Sequence, residues 1–471
     1  MVFSSMTFLL VFLPITVALY YLPSFFNRKD NIAYRNIILC AASLIFYAWG
    51  EPLNIVLMLI SICFNYFIGL DMDRHRNDRK HRKGLLIASV IFNVGMLGFF
   101  KYSGFVAENI SSLFGITSRF NSPSLPIGIS FYTFQILSYV IDVYKYKVGV
   151  QKSLLDFALY ISMFPQLIAG PIVQYSVVDT QLRYRRCSLP LASEGVYLFS
   201  LGLAKKVVLA NAAGSVFNDY IFIGYSKLSV TGAWCAVIFF AFQIYFDFSG
   251  YSDMAKGLGY IFGFEFPENF NYPYIADSIT DFWRRWHITL STWFRDYIYI
   301  PLGGSRRSPG RNIFNLFVVW TLTGIWHGAN WTFVVWGLFY FVILVFEKLT
   351  GFTKKLGVFS HIYTMLLVII GWVVFRAKDI SSAVSYLKDM FGFGSLPLYD
   401  STTVFYLSNY KFFLILGIVC CFPIIRTIKN KVNTDKPAYT IISGIILIAM
   451  FLISVTYTIK GTYNPFIYFN F

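Results

Sequence analysis

Charge is scarce in this sequence: Asp, Glu, Lys and Arg make up 13% of its 471 residues, against about a quarter in soluble globular domains. Together with 57% hydrophobic residues and a mean hydropathy of +0.60, that scarcity excludes an ordinary water-soluble enzyme. Cysteine is sparse as well. Cys40, Cys63, Cys187, Cys235, Cys420 and Cys421 lie mostly in apolar runs, with no CxxC and no Cys/His ligand spacing. Neither a disulfide framework nor a metal cluster is therefore expected, and the six read as small buried hydrophobes. GxGxxG followed by an acidic residue, GxxxxGKS/T and GxSxG are all missing, which leaves nucleotide hydrolysis and serine-hydrolase chemistry without a motif. Internal repeats and low-complexity tracts are missing too.

Long apolar runs take the place of charge. They fall at roughly 3–25, 34–49, 52–70, 84–100, 125–141, 154–173, 191–212, 232–248, 312–328, 331–347, 361–376, 411–425 and 439–459, many of them near the ~20 residues that cross a bilayer core. The expected fold is an all-α polytopic membrane protein with about eleven to thirteen membrane segments. We read it as a single integral-membrane domain, 1–471, with its chemistry-bearing core at about 125–350. The first run has only Met1 and Val2 ahead of it and no small-residue cleavage site behind it. It is expected to remain as a helix and not to be removed as a signal peptide.

The net charge of +16 comes from Lys and Arg in the loops between apolar runs. Positive-inside topology accounts for that pattern, so no nucleic-acid partner is expected. The loop "DMDRHRNDRKHRKG", with six Lys/Arg from Arg74 to Lys83, marks the cytoplasmic face. Counting back three spans puts the N-terminus outside and Arg28, Lys29 and Arg35 inside. Counting forward, 312–328 runs outward and carries His327 to the outer half, and Arg426, Lys429, Lys431 and Lys436 return to the inside.

Two stretches depart from simple spans. "MFPQLIAGPIV" (163–173) holds Pro165, Gly170 and Pro171, which suits a broken or re-entrant segment beside an internal cavity, or else a Pro-kinked helix. From Ser249 to Gly310, aromatic residues alternate with Asp253, Arg284, Arg285, Arg295, Arg306 and Arg307. Short interfacial helices and re-entrant pieces are expected there.

Of five histidines, His75 and His81 sit in the basic loop and read as solvated charges, and His361 opens a span. His287 and His327 differ, because "FWRRWHITLSTWFRDY" and "GIWHGANW" embed them among tryptophans in apolar surroundings. Ionisable groups at such depth are costly and point to function. Burial favours the neutral imidazole, which can act as a general base; a satisfied interhelical histidine is the alternative. Gly324 and Gly328 flank His327 and permit close approach of backbone or substrate. Asp247 and Asp253 in "FQIYFDFSGYSDMAKGLG" need partners, for which Arg284 and Arg285 are the candidates. Such pairing is either structural or part of a site that positions a phosphate-bearing donor.

At these residues the sequence resembles the membrane-bound O-acyltransferase (MBOAT) family, in its bacterial alginate O-acetyltransferase (AlgI-like) branch. The resemblance rests on "DFWRRWHITLSTWFRDYIYIPLGG" (281–304) followed by "LTGIWHGANWTFVVWG" (322–337), with "SLIFYAWGEP", "LPIGISFYTFQILSYVIDVY", "FPQLIAGPIV" and "QIYFDFSGYSDMA" in the same order upstream. It weakens after about residue 350.

The resemblance implies acyl transfer at a multi-pass bacterial cell membrane through a central tunnel, with His327 as the catalytic histidine and His287 as the second. It implies cytoplasmic acetyl-CoA as acetyl donor with no bound cofactor or metal, a surrounding of membrane lipid, and an extracytoplasmic SGNH-type partner. An exported polysaccharide, alginate-like or another exopolysaccharide, is the implied acceptor. Trp326, Asn330, Asp247, Asp253, Arg284, Arg285 and Trp286 are the candidate substrate or tunnel residues, and Asn330 and Trp331 are within reach to stabilise an oxyanion. Peptidoglycan O-acetylation and D-alanyl transfer to teichoic acid are alternatives within the family. Outside it the alternative is a transporter, since broken segments with polar groups at mid-depth also mark transport paths.

Overall fold

A backbone surrounded by lipid must satisfy its own hydrogen bonds, and a chain with this composition does so by coiling into helices. In a computed structural model the described residues are 1–25, 31–116, 120–223, 228–429, 431, 437–461 and 466–467. Arg28, Lys29 and Lys436, three of the charges used for topology, lie outside them. The described residues contain no strand. In chain order the helices are α1 (Leu13–Phe25), α2 (Ile32–Gly50), α3 (Ile55–Arg74), α4 (Arg79–Leu113), α5 (Ile129–Tyr144), α6 (Leu154–Ser162), α7 (Phe164–Leu167), α8 (Tyr175–Arg183), α9 (Leu189–Ala204), α10 (Asn211–Ile223) and α11 (Val230–Ile261). They continue with α12 (Ile279–Arg285), α13 (Ile288–Phe294), α14 (Pro309–His327), α15 (Trp331–Thr350), α16 (Phe352–Leu356), α17 (Ser360–Arg376), α18 (Ile380–Met390), α19 (Ser401–Cys420), α20 (Ile424–Lys429) and α21 (Pro437–Lys460).

Among the described residues nine helical stretches are long and apolar enough to cross a membrane. Four of the expected spans, 3–25, 125–141, 154–173 and 312–328, are not among them. The first is a short helix entered through a π-helical turn, Phe8–Phe12. α5 has only 16 residues, and α14 opens with Arg311 and Asn312 and carries Asn315. The fourth is broken, as one of its two readings anticipated: α6 stops at Ser162 and the short α7 restarts at Phe164. The break falls at Met163, which is non-helical (φ −51°, ψ 109°), and Pro165, which lacks an N–H, sits in the first turn of the restarted helix, where no donor is needed. The freed groups are satisfied inside the protein, with Phe164 N–H donating to Ser43 Oγ at 3.1 Å and Gln166 Nε2 to the Tyr160 carbonyl at 2.6 Å.

A second correction concerns 249–310. α11 runs unbroken to Ile261, so the change to short elements comes after that residue and not at Ser249. The polar positions 247, 249, 252 and 253 are therefore on a continuous helix.

The chain divides into two compact units, Met1–Phe199 with Ser252–Pro267, and Ser200–Tyr251 with Glu268–Phe471. In the first, α3 and α4 form a hairpin locked by buried polar groups. Asn65 and Asn93 exchange amide hydrogen bonds at 3.2 and 2.9 Å, and Ser89 Oγ donates to Asn65 Oδ1 at 2.6 Å. In the second, α14 and α15 form another hairpin. There a Cβ at Gly324 would collide with the Phe333 carbonyl and one at Gly337 with the Trp320 carbonyl, so glycine is what allows the backbones to meet. Gly328 is likewise filled by the Phe333 ring. These glycines serve helix packing and not substrate approach.

Candidate active site

The second unit brings His287 and His327 to a common neighbour. His327 is the last residue of α14 and is 4% exposed. Its ring meets Trp326, Trp336 and Phe375 edge-on at centroid distances of 5.0, 5.0 and 5.2 Å. Trp326 also meets the ring of His287, at 6.1 Å. One indole thus touches both imidazoles.

His287 is held in a conformation that side chains rarely adopt, with φ 47° and ψ 52°, between α12 and α13. Such left-handed torsions persist only where neighbours enforce them, and the neighbour here is Asn269. Its Oδ1 accepts from Thr289 N–H at 3.3 Å and Thr289 Oγ1 at 2.9 Å and lies 3.1 Å from His287 Nδ1, while its carbonyl accepts from Ile288 N–H at 3.0 Å. An amide oxygen only accepts, so Nδ1 carries the proton and Nε2 is the basic nitrogen of the neutral ring. Burial, with Phe248 edge-on at 4.7 Å, lowers the His287 pKa to about 3. The imidazole is neutral at physiological pH.

His287 lines a cavity of about 240 Å³ together with Thr280, Trp283, Arg284, Ser291, Arg295 and Tyr299 among others. Its polar wall comes from α12, α13 and the π-helical turn Arg295–Tyr299, and its apolar wall from α14 and α15. The volume far exceeds the roughly 30 Å³ share of one liquid water. His327 is not among the residues that line this chamber, whose described wall reaches His287.

Of the other expected site residues, Arg284 is on the chamber wall. Trp286 is not, being buried against Phe282, stacked at 5.6 Å, Phe270, edge-on at 5.1 Å, and Trp372, tilted at 4.9 Å. Arg285 pairs with Asp281 one turn back, at 2.7 Å. Asp247 does not pair with Arg284 or Arg285 as expected. Its partner is buried Lys206 at 2.5 Å, and Ile467 N–H donates to its other oxygen at 2.7 Å. Both charges are inside the unit, so the nearest buried cation took precedence over arginines that reach water. Asp253 is half-buried on the stretch of α11 that belongs to the first unit. Asn330 is already committed: its Oδ1 caps α15 at Thr332 N–H, 3.0 Å, and its Nδ2 donates to the Lys378 carbonyl at 2.9 Å. Asn330 is thus the N-cap of α15, with one of its two amide hydrogens engaged.

Two residues of the site were missed in the sequence. Asn269 had no pattern to single it out. Glu347 had one, as an acid within an apolar span. It is 6% exposed on α15, and its carboxylate accepts from Ile279 N–H at 2.9 Å, Thr280 N–H at 3.2 Å and Thr280 Oγ1 at 3.2 Å. A negative group at the α12 N-terminus satisfies open donors and meets the positive end of the helix dipole, and so fixes the helix that leads into His287.

The profile of the membrane-bound O-acyltransferase family matches residues 129–376, which contain both histidines, the chamber and Glu347. The probable alginate O-acetylase AlgI of Pseudomonas aeruginosa is 41% identical over 407 residues, covering 84% of this chain and 76% of that protein. Its namesake in Pseudomonas putida is 37% identical over 494 residues and covers all of both chains. The peptidoglycan O-acetyltransferase of Helicobacter pylori is 37% identical over 437 residues, covering 84% of this chain and 81% of that one. With two buried histidines on one indole inside the matched segment, the chain belongs to the membrane-bound O-acyltransferase family and is an O-acyltransferase of the membrane, not a transporter.

Proposed function

We propose that the protein transfers an acetyl group from cytoplasmic acetyl-CoA to a hydroxyl of an exported cell-surface polysaccharide, by way of an extracytoplasmic acetyltransferase partner. The observation that carries this reading is the position of His287 on a chamber wall with two arginines, and of His327 on the far contact of Trp326. The names of the Pseudomonas relatives support a polysaccharide acceptor.

Arg284 and Arg295 suit the phosphates of the donor at the chamber mouth, and the chamber takes its thioester arm. His327 accepts the proton of the attacking hydroxyl as a new C–O bond forms at the acetyl carbon. The C–S bond then breaks, and the departing thiolate takes up a proton to give the free thiol. His287, fixed by Asn269 and uncharged, orients the acetyl end without introducing an ion into a low-dielectric site. The aromatic cage of His327 keeps water away from the thioester. In this arrangement the acceptor hydroxyl reaches His327 from the outer side, in keeping with the charge-based topology.

The test is replacement of His327 by alanine, with acetate ester measured on the surface polymer by mass spectrometry. Loss of ester at unchanged protein level supports the assignment, and undiminished ester overturns it. A second reading, O-acetylation of peptidoglycan, is favoured by the Helicobacter relative, whose identity equals that of the Pseudomonas putida protein. Comparing exopolysaccharide and peptidoglycan from cells with and without the gene separates the two.

A further inference from the structure

The turn between α3 and α4 assembles three side chains with metal-binding chemistry, well apart in kind from the acyl-transfer residues. Asp71 and His75 are one helical turn apart at the end of α3 and share a face, and His81 enters from the first turn of α4. His75 Nδ1 is 2.9 Å from one oxygen of Asp71, and His81 Nε2 is 3.0 Å from the other. The two imidazole centroids are 4.2 Å apart, and one ligand atom from each residue falls within 4.8 Å of the others. The histidine–carboxylate contacts are of hydrogen-bond length and His75 Nδ1 also lies 3.2 Å from the Asp71 carbonyl, so an ion would exchange these hydrogen bonds for metal bonds of about 2.0–2.1 Å.

The surroundings hold the three in place. His75 N–H donates to the Asp71 carbonyl at 3.0 Å and Asp78 N–H to the His75 carbonyl at 3.0 Å, while Asp78 Oδ1 caps His81 N–H at 2.9 Å. The nearby cations are partly turned away. Arg82 is buried, donates to the Val143 and Tyr144 carbonyls at 2.9 Å each, and stacks on Tyr146 at 3.7 Å. Arg76 is also over that ring, at 5.6 Å, and its carbonyl accepts from Tyr146 Oη. The remaining Arg74, Arg79, Lys80 and Lys83 are exposed, where solvent and salt screen them.

We propose that Asp71, His75 and His81 bind one divalent transition-metal ion of the zinc type, with water completing its shell, and that the ion clamps α3 to α4. Two imidazoles with one carboxylate are a donor set that suits zinc and its neighbours and not calcium or magnesium, which prefer oxygen. The clamp is independent of the acyl-transfer reading.

The test uses the full-length protein in detergent micelles, carrying no polyhistidine tag and stripped with a chelator, titrated with zinc chloride against a chromophoric competitor. One zinc per chain is expected in the wild type. His75→Ala and His81→Ala should each weaken binding by about tenfold or more, whereas His361→Ala, in the other unit, should leave it unchanged. Thermal melting of the zinc-free proteins checks that the variants fold. Equal zinc affinity in the wild type and in the His75→Ala/His81→Ala double variant overturns the proposal, as does an X-ray absorption spectrum of the bound ion without imidazole scattering.

Discussion

The α3–α4 turn and the core around Trp326 each hold two histidines, and the two places put them to different use. At the turn, the side chains of His75 and His81 are 48% and 40% exposed and share a carboxylate. In the core, His287 and His327 are 1% and 4% exposed and share an indole. At the turn, Asp71 holds both rings side by side, within reach of a shared cation. In the core, burial lowers the His287 pKa to about 3, which keeps that imidazole neutral. On the two proposals made above, one residue type would serve as a ligand in one environment and as a base in the other.

The largest effect that follows from this contrast is at the core pair. His327→Ala should lower transfer about 10²–10⁴-fold, the usual contribution of a general base, read as ester formed per unit of protein. Glu347→Ala comes next. It leaves the α12 donors buried without their acceptor, at about 1–3 kcal/mol for each group, so a lower melting temperature in micelles and reduced transfer are expected together. Unchanged melting would remove Glu347 from the support of His287.

Asn269→Asp brings the core toward the character of the turn. A carboxylate against Nδ1 favours the imidazolium and raises the His287 pKa from about 3, so the variant should lose activity as pH falls from about 8 to 5 while the wild-type His287 remains neutral throughout. A pH–rate profile parallel to the wild type would show that Asn269 does not set the state of His287. The smallest effect is expected from His75→Ala, whose transfer rate should stay within about twofold of the wild type, as for exposed sites in general. A large loss there would erase the distinction between the two pairs.

Much of this site was legible before the fold. The Trp-His pairs "RWHIT" and "IWHGA" stood out because an ionisable group among tryptophans in an apolar run is costly, and the structure does bring them to a common neighbour. The pairing of Asp247 was misread, because proximity along the chain favoured the arginines of α12 whereas folding presented Lys206. Asn330 was within one turn of His327, and folding added a role its neighbours in sequence did not show, the cap of α15.

What the sequence determined by itself is the set of properties that depend on nearby residues: the membrane as solvent, nine of the expected spans, an irregularity at Pro165 that is either a break or a kink, and the two candidate histidines. Helix length, hydropathy and the geometry of proline are local, so a window of the chain suffices to read them. Tertiary structure alone decided the partners, namely Asn269 for His287, Glu347 for the start of α12, Lys206 for Asp247, and His81 for Asp71 and His75. Hydrogen bonds and ion pairs act over about 3 Å, and residues come within that distance only when packed helices bring remote segments together.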